Sequence, residues 1–214
     1  MPASLVHLVR HGEVHNPDGV LYGRLPGFHL SKLGERMAVA AAAAVKESGS
    51  DVTRLVASPL QRAQESAQPF AEAFGLDIRT DERLIEPTNK FEGRNFEFGP
   101  QVILRPQSWP WVTNPFRPSW GEAYRSIATR MFAALEDAWE STESGNVALV
   151  SHQLPIVTIT RDLAGRRLWH DPRKRRCSLS SITTFERQGD TFVEVSYHEP
   201  THDLLDQAID SGAV

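Results

Sequence analysis

Short apolar runs alternate with longer amphipathic segments along most of the chain. Runs of strand length occupy residues 5–9, 55–57 and 147–150, and each ends at polar or basic residues. Helical spacing of apolar residues marks the segments 32–47, 60–74, 124–140 and 155–163. Near the end, two further runs flank Gly189-Asp190 and predict a hairpin, at 181–186 and 192–197. This alternation predicts an α/β fold, a three-layer sandwich whose central sheet is mainly parallel with helices on both faces.

The second helix has a well-marked predicted start. Ser58 suits the N-cap, Pro59 the first helical position, and Gln61 completes a Ser-x-x-Gln capping box. Arg62 would then lie in the first helical turn, where free backbone N–H groups and the helix dipole already favour an anion.

One long segment, at about 87–119, interrupts the regular pattern because it is rich in proline and tryptophan. We interpret it as an irregular insertion at one end of the sheet, serving either as a functional lid or as an inert packed excursion. The 214 residues otherwise suit one domain, so we predict a single domain over 1–214 that carries this insertion.

Composition narrows the classes of function. The net charge of −4 argues against generic nucleic-acid binding, which rewards a basic face. Cys177 is the only cysteine, which excludes an internal disulfide and suits a reducing compartment. No secretory signal is visible and the apolar run at 38–45 is too short to span a bilayer, so we expect a cytoplasmic protein without a membrane partner. The basic run at 173–176 is interpreted as a solvated charge run, as an anchor for acidic groups or as a substrate-recognition element.

Candidate chemistry collects where three predicted strands end. Arg10 and His11 follow the first strand, His152 follows the third, and Arg62 follows the second after a short turn. Ligands of open α/β sheets bind beyond the carboxyl ends of the strands, so these residues are expected to converge there. Two arginines and two histidines around one point predict an anion pocket, and the planar guanidinium suits phosphate especially well.

Val9-Arg10-His11-Gly12-Glu13 resembles the Arg-His-Gly signature of the histidine phosphatase superfamily, also called the phosphoglycerate mutase-like family. Further segments resemble the other motifs of the family and occur in the same order as in the family. They are the loop and helix after the signature (Gly23-Arg24 and 30–34), the second arginine (57–67), the acidic motif (84–86), the Gly-Glu motif (120–122) and the second histidine (150–152). The match covers nearly the whole chain, and its specificity lies in the ordered set.

The resemblance implies that His11 is a nucleophile that forms a phosphohistidine. It also implies that Arg10, Arg62 and His152 contact the phosphoryl oxygens, and that Glu86 exchanges a proton with the leaving group and with water. No metal or other cofactor is expected. The residues implied to bind phosphate or substrate are Arg10, Asn16, Gly23, Arg24, Arg62, His152 and Gln153, the last of which either bonds substrate or fills space.

The chain departs from the family pattern after Glu86, where residues 87–91 contain no glycine, so Glu13 and Glu92 are alternative proton donors. The expected function is hydrolysis of phosphomonoesters, with a small phosphorylated metabolite as the only expected partner. The alternatives are a cofactor-dependent phosphoglycerate mutase and a non-catalytic phosphoester-binding protein on the same fold. The oligomeric state stays open, with a homodimer as the commonest soluble assembly.

Overall fold

One six-stranded sheet lies at the centre of the described residues. The computed structural model describes residues 3–90, 92, 93 and 121–210. The strands are β1 (Leu5–Arg10), β2 (Val52–Ala57), β3 (Ile78–Thr80), β4 (Asn146–Ser151), β5 (Ile182–Gln188) and β6 (Thr191–His198). Their order across the sheet is β3-β2-β4-β1-β5-β6. Strands β1 to β4 pair in parallel, and the β5–β6 hairpin is antiparallel and joins the sheet along β1, so the predicted mainly parallel sheet is confirmed.

The helices of the described residues are α1 (Lys32–Glu47), α2 (Gln61–Phe74), α3 (Tyr124–Glu140), α4 (Gln153–Leu163) and α5 (His202–Leu205), with short 3-10 turns at Glu82–Leu84 and Pro172–Lys174. Within this part of the chain, no helix has the length and apolar character needed to cross a membrane.

Both faces of the sheet are buried under helices. Side chains alternate along β4, so Val147 and Leu149 enter one apolar cluster while Ala148 and Val150 enter another. Helices α3 and α4 cover the first cluster, and α1 and α2 cover the second. Burial on both sides explains why β1 and β4 are almost continuously apolar in sequence. The three-layer sandwich predicted from the sequence is therefore confirmed.

Local predictions failed at two places. Helix α2 begins at Gln61 with Leu60 as its N-cap and no side-chain cap, so the predicted capping box is wrong. The reason is that the Ser58 hydroxyl, the predicted cap of the helix, instead contacts a residue distant in sequence and lies 2.7 Å from Nε2 of His152. The sequence pattern also missed β3, since three residues that are mostly exposed carry no detectable period. The predicted insertion at about 87–119 lies mostly outside the described residues, which include only 87–90, 92 and 93 of it.

Candidate active site

The carboxyl ends of three neighbouring strands bring the candidate residues together. Strand β4 lies between β1 and β2, and Arg10 pairs in register with Ser151. The His11 backbone N–H then donates to the Ser151 carbonyl oxygen at 3.1 Å. As a result the His11 and His152 rings, which are distant in sequence, lie with their centroids 5.1 Å apart.

The geometry defines the protonation state of His11. Its Nδ1 lies 2.7 Å from the Gly12 carbonyl oxygen, which can only accept, so Nδ1 carries the proton. Nε2 therefore holds the lone pair, and the Arg62 Nε–H donates to it at 3.3 Å. Burial lowers the pKa of His11 well below its usual value, and the charges of Arg62 and Arg10 lower it further. The site thus holds a neutral imidazole with an unprotonated Nε2.

Close backbone contact fixes the signature loop. A Cβ at Gly12 would lie 2.5 Å from the Gly34 carbonyl oxygen, and a Cβ at Gly34 would lie 2.0 Å from the Glu13 carbonyl oxygen. Only glycine fits at both positions, and the first turn of α1 therefore packs directly on the loop that carries His11. The Gly12 N–H also donates to the Ser66 hydroxyl at 3.1 Å, which ties the loop to α2.

Arg62 is buried in the first turn of α2. Its Nη2 donates to the Gly23 carbonyl oxygen at 2.8 Å, and its guanidinium carbon lies 4.7 Å from the centroid of the Tyr22 ring. Burial raises the pKa of Tyr22 to about 12, so a neutral aromatic face supports the cation. Sequence reasoning missed Tyr22, although it directly precedes the Gly23-Arg24 motif.

Arg10 lies at the end of β1 and is fully buried. Its Nη1 donates to the Cys177 carbonyl oxygen at 2.7 Å and to Asp210 Oδ2 at 2.8 Å, and its Nη2 donates to Asp210 Oδ1. Burial disfavours the charge, but the Asp210 carboxylate outweighs burial and raises the pKa of Arg10. Asp210 was not among the residues expected from the sequence.

Glu86 lies beside His152, with Oε2 of the carboxyl group 3.7 Å from Nδ1 of the imidazole. Arg24 positions Glu86 by donating its Nε–H to the Glu86 carbonyl oxygen at 2.5 Å. Burial raises the pKa of Glu86, although Arg62 and Arg175 act in the opposite direction. Burial also lowers the pKa of His152 well below its usual value, so His152 brings a neutral ring to the pocket.

Three buried polar atoms of these residues have no hydrogen-bond partner among the described residues, namely Arg10 Nε, His152 Nδ1 and Glu86 Oε1. Unpaired buried polar atoms are costly in a folded protein and are commonly explained by a ligand or by catalysis. With the Ser58 hydroxyl donating to His152 Nε2, the proton of His152 would reside on Nδ1. Arg10 and His152 would then offer donors to an oxyanion, next to a carboxyl group that can hold a proton.

The alternative proton donors are engaged in hydrogen bonds of their own. Glu13 accepts hydrogen bonds from the Ser31 hydroxyl and from the Ile209 backbone N–H, the latter at 2.7 Å. Glu92 accepts from the Asn89 backbone N–H at 3.1 Å. Among the three carboxyl groups considered, Glu86 is therefore the one beside His152.

Two other predicted ligands hold loops in place. The Asn16 side chain closes its own loop, because Nδ2 donates to the Val20 carbonyl oxygen at 2.8 Å and Oδ1 accepts from the Val20 N–H at 3.0 Å. Gln153, the first residue of α4, accepts from Arg175 Nη1 at 3.0 Å. A role of Asn16 or Gln153 in substrate binding stays a prediction.

Arg175 connects the basic run to the site. Besides Gln153, it donates to Nε2 of His170 at 3.0 Å, and its charge is among those that act on Glu86. The neighbouring Arg176 instead pairs with Glu194 and lies over the Tyr197 ring. Arg175 and Arg176 therefore lie in different environments.

Known proteins of one family are similar to this chain in sequence. A family model described as histidine phosphatase superfamily (branch 1) matches residues 6–200. The chain is 50% identical over 195 residues to an uncharacterized protein of Mycobacterium tuberculosis, covering 91% of this chain and 96% of that protein. It is 30% identical over 191 residues to a probable phosphoglycerate mutase of Escherichia fergusonii, covering 86% of each.

A solved structure has the same fold. The phosphoserine phosphatase of Entamoeba histolytica, solved in complex with 3-phosphoglyceric acid, superposes with a TM-score of 0.74 at 23% identity and covers 94% of this chain and 99% of its own. The family model, which spans most of the chain, establishes that the protein belongs to the histidine phosphatase superfamily.

Proposed function

We propose that this protein hydrolyses phosphomonoesters of small metabolites through a phosphohistidine formed on His11. The observation that supports this most strongly is the state of the imidazole, whose Nδ1–H is held by the Gly12 carbonyl oxygen at 2.7 Å. The lone pair is therefore on Nε2, and the Arg62 guanidinium lies 3.3 Å from it. A phosphoryl group that Arg62 binds would lie beside the nucleophile, which is the geometry that covalent catalysis requires.

The first step would transfer the phosphoryl group to the enzyme. Nε2 of His11 attacks phosphorus while the bond between phosphorus and the ester oxygen breaks. Glu86 gives its proton to the leaving oxygen, and the alcohol departs. Arg10 and Arg62 balance the charge on the phosphoryl oxygens, and the neutral His152 adds an N–H donor.

The second step would release phosphate. Glu86, now ionised, takes a proton from a water molecule that attacks the phosphorus atom. The bond between phosphorus and Nε2 breaks, which returns the lone pair to His11, and inorganic phosphate leaves. The raised pKa of Glu86 supports both halves of this cycle, because a group that both donates and accepts a proton works best near the operating pH.

Metal independence is part of the proposal. Two buried guanidinium groups, those of Arg10 and Arg62, would supply the positive charge that a divalent cation supplies in other phosphatases. We expect full activity after dialysis against a chelator. Loss of activity that a divalent cation restores would contradict this part of the proposal.

Phosphoglycerate mutase activity is the second candidate, favoured by the 30% identity to a probable phosphoglycerate mutase. A mutase would use the same nucleophile but return the phosphoryl group to a second hydroxyl of the substrate. The third possibility, a protein that binds phosphoesters without turnover, is opposed by the arrangement of His11 and Glu86 described above. We further propose that the partner is a small phosphate ester rather than nucleic acid or membrane; the homodimer stays a prediction.

One pair of assays separates these functions. The first measures inorganic phosphate released from p-nitrophenyl phosphate, and the second measures conversion of 3-phosphoglycerate to its 2-phospho isomer. We expect phosphate release in the first and none of the isomer in the second. Rapid isomerisation with little phosphate release would establish the mutase, and binding of phosphate with no turnover on a broad panel of esters would establish the non-catalytic protein.

A further inference from the structure

The C-terminal segment reaches the site through Asp210, whose carboxylate contacts the Arg10 guanidinium with both oxygens. We infer that Asp210 is a positioning residue that orients Arg10 for the phosphoryl group. The inference rests on the proposed role of Arg10 as a phosphate ligand.

The edges of the Arg10 guanidinium are divided between two tasks. A guanidinium offers five N–H donors in one plane. Its terminal edge, formed by Nη1 and Nη2, holds Asp210, and Nη1 also donates to the Cys177 carbonyl oxygen. The side edge of the same plane contains the Nε–H and the second Nη2–H, and Nε is buried without a partner among the described residues. Paired donors on one edge match two oxygens of a phosphoryl group.

Asp210 also stabilises the buried charge of this guanidinium and holds it in place. The Arg10 side chain has no solvent-exposed surface, whereas that of Asp210 is 41% exposed. A buried cation needs an anionic partner, and a bidentate carboxylate also fixes the rotation of the guanidinium plane. The position of Asp210 is itself fixed, because the Ile209 N–H donates to Glu13 within the signature segment at 2.7 Å. Two adjacent residues of the C-terminal segment, Ile209 and Asp210, therefore bind the signature segment through Glu13 and Arg10.

A competing interpretation of the contact is that the Asp210 carboxylate takes the place of the phosphoryl group and inhibits binding. The two interpretations predict opposite effects on phosphate binding when the Asp210 carboxylate is removed. If Asp210 positions Arg10, its removal weakens phosphate binding; if Asp210 competes with phosphate, its removal strengthens binding. The separate edges of the guanidinium favour positioning.

The test compares Asp210→Ala with Asp206→Ala, which removes the same charge from an exposed position of the same tail. Two quantities are measured, the Kd for inorganic phosphate by calorimetry and kcat/KM for p-nitrophenyl phosphate. We expect Asp210→Ala to weaken both by about tenfold to a hundredfold, the range for a hydrogen bond to a charged group, and Asp206→Ala to change neither. Asp210→Glu should recover part of the loss, and added formate should partly rescue Asp210→Ala by supplying a carboxylate.

Phosphate binding by Asp210→Ala equal to that of Asp206→Ala, or tighter than that of the unaltered protein, would overturn the inference. If Asp210→Ala does not fold, the same measurements on Asp210→Asn, which keeps the size of the side chain but weakens the ion pair, decide the question. Because phosphate binding does not require turnover, it tests Asp210 separately. An unaltered protein that hydrolyses no ester would refute the proposed function alone.

Discussion

Replacement of Glu86 by glutamine removes the proton that the leaving oxygen requires while keeping the size of the side chain. Glu86 is 2% exposed, and its Oε1 has no partner among the described residues. The backbone at this position is held by Arg24, a contact that the substitution does not touch. We therefore expect Glu86→Gln to fold and to bind phosphate, so that a kinetic defect can be assigned to proton transfer.

The size of the effect should depend on the leaving group. General acid catalysis contributes roughly 10²–10⁴-fold when the departing oxygen is a strong base, such as an alkoxide. A nitrophenolate departs with little help, so its loss should be about tenfold or less. Burial of Glu86 favours the upper part of the range for alkyl esters, because burial raises the pKa and keeps solvent water away from the position of the lost proton.

The assay is kcat/KM for a series of phenyl phosphates of increasing leaving-group pKa, together with one alkyl phosphate. We expect kcat/KM to decline steeply as the leaving-group pKa rises in Glu86→Gln, and to decline only slightly in the unaltered protein. Glu13→Gln and Glu92→Gln are the matched controls, because they remove the two other candidate carboxyl groups. An equal loss for every ester in Glu86→Gln, or a steep decline in Glu13→Gln instead, would refute the reasoning.

Three further predictions concern titratable and charged side chains. Burial lowers the pKa of His11, so the ring stays neutral and kcat/KM should persist well below pH 6.5, the ordinary histidine value; a loss of activity centred there would contradict this. Burial lowers the pKa of His7 from 6.5 to about 4. The unfolded chain therefore binds more protons at His7 between pH 6.5 and 4. His7 should account for about 3 kcal/mol of the fall in the free energy of unfolding as pH drops through this window, and His7→Gln should remove that share in denaturation experiments. Arg175→Gln should lower kcat/KM for p-nitrophenyl phosphate, because Arg175 donates to Gln153 and its charge acts on Glu86, whereas Arg176→Gln, whose partner is Glu194, should leave it unchanged. Equal values of kcat/KM in the two variants would contradict a role of Arg175 in the site.

The placement of His11 and His152 could be predicted from sequence because the rule behind it is simple. Parallel strands present their carboxyl ends at one edge of a sheet, and the residues that follow β1 and β4 are therefore neighbours. Arg62 could be placed as well, since it lies in the first turn of the helix that follows β2. Their placement requires only that each residue follows the carboxyl end of a parallel strand, and the alternation of strands and helices predicts a parallel sheet.

Other features depend on side chains that meet over long distances. Asp210 is separated from Arg10 by 200 positions and lies in a tail without periodicity, so no local pattern indicates the ion pair. Ser58 has the local pattern of a helix cap, yet its hydroxyl bonds to His152, which only the assembled sheet brings near. Tyr22 supports Arg62 through the orientation of its ring, a property that sequence does not record.

The central claim is that Nε2 of His11 receives the phosphoryl group. The most direct measurement is to mix the protein with an aryl phosphate, quench at alkaline pH where phosphohistidine survives, and locate the modification by tandem mass spectrometry. We predict a phosphoryl group on His11 at early times and none on this segment in His11→Ala, which should retain its fold and lose turnover. Phosphate release by His11→Ala at the rate of the unaltered protein, or a phosphoryl group on a different side chain, would contradict the claim.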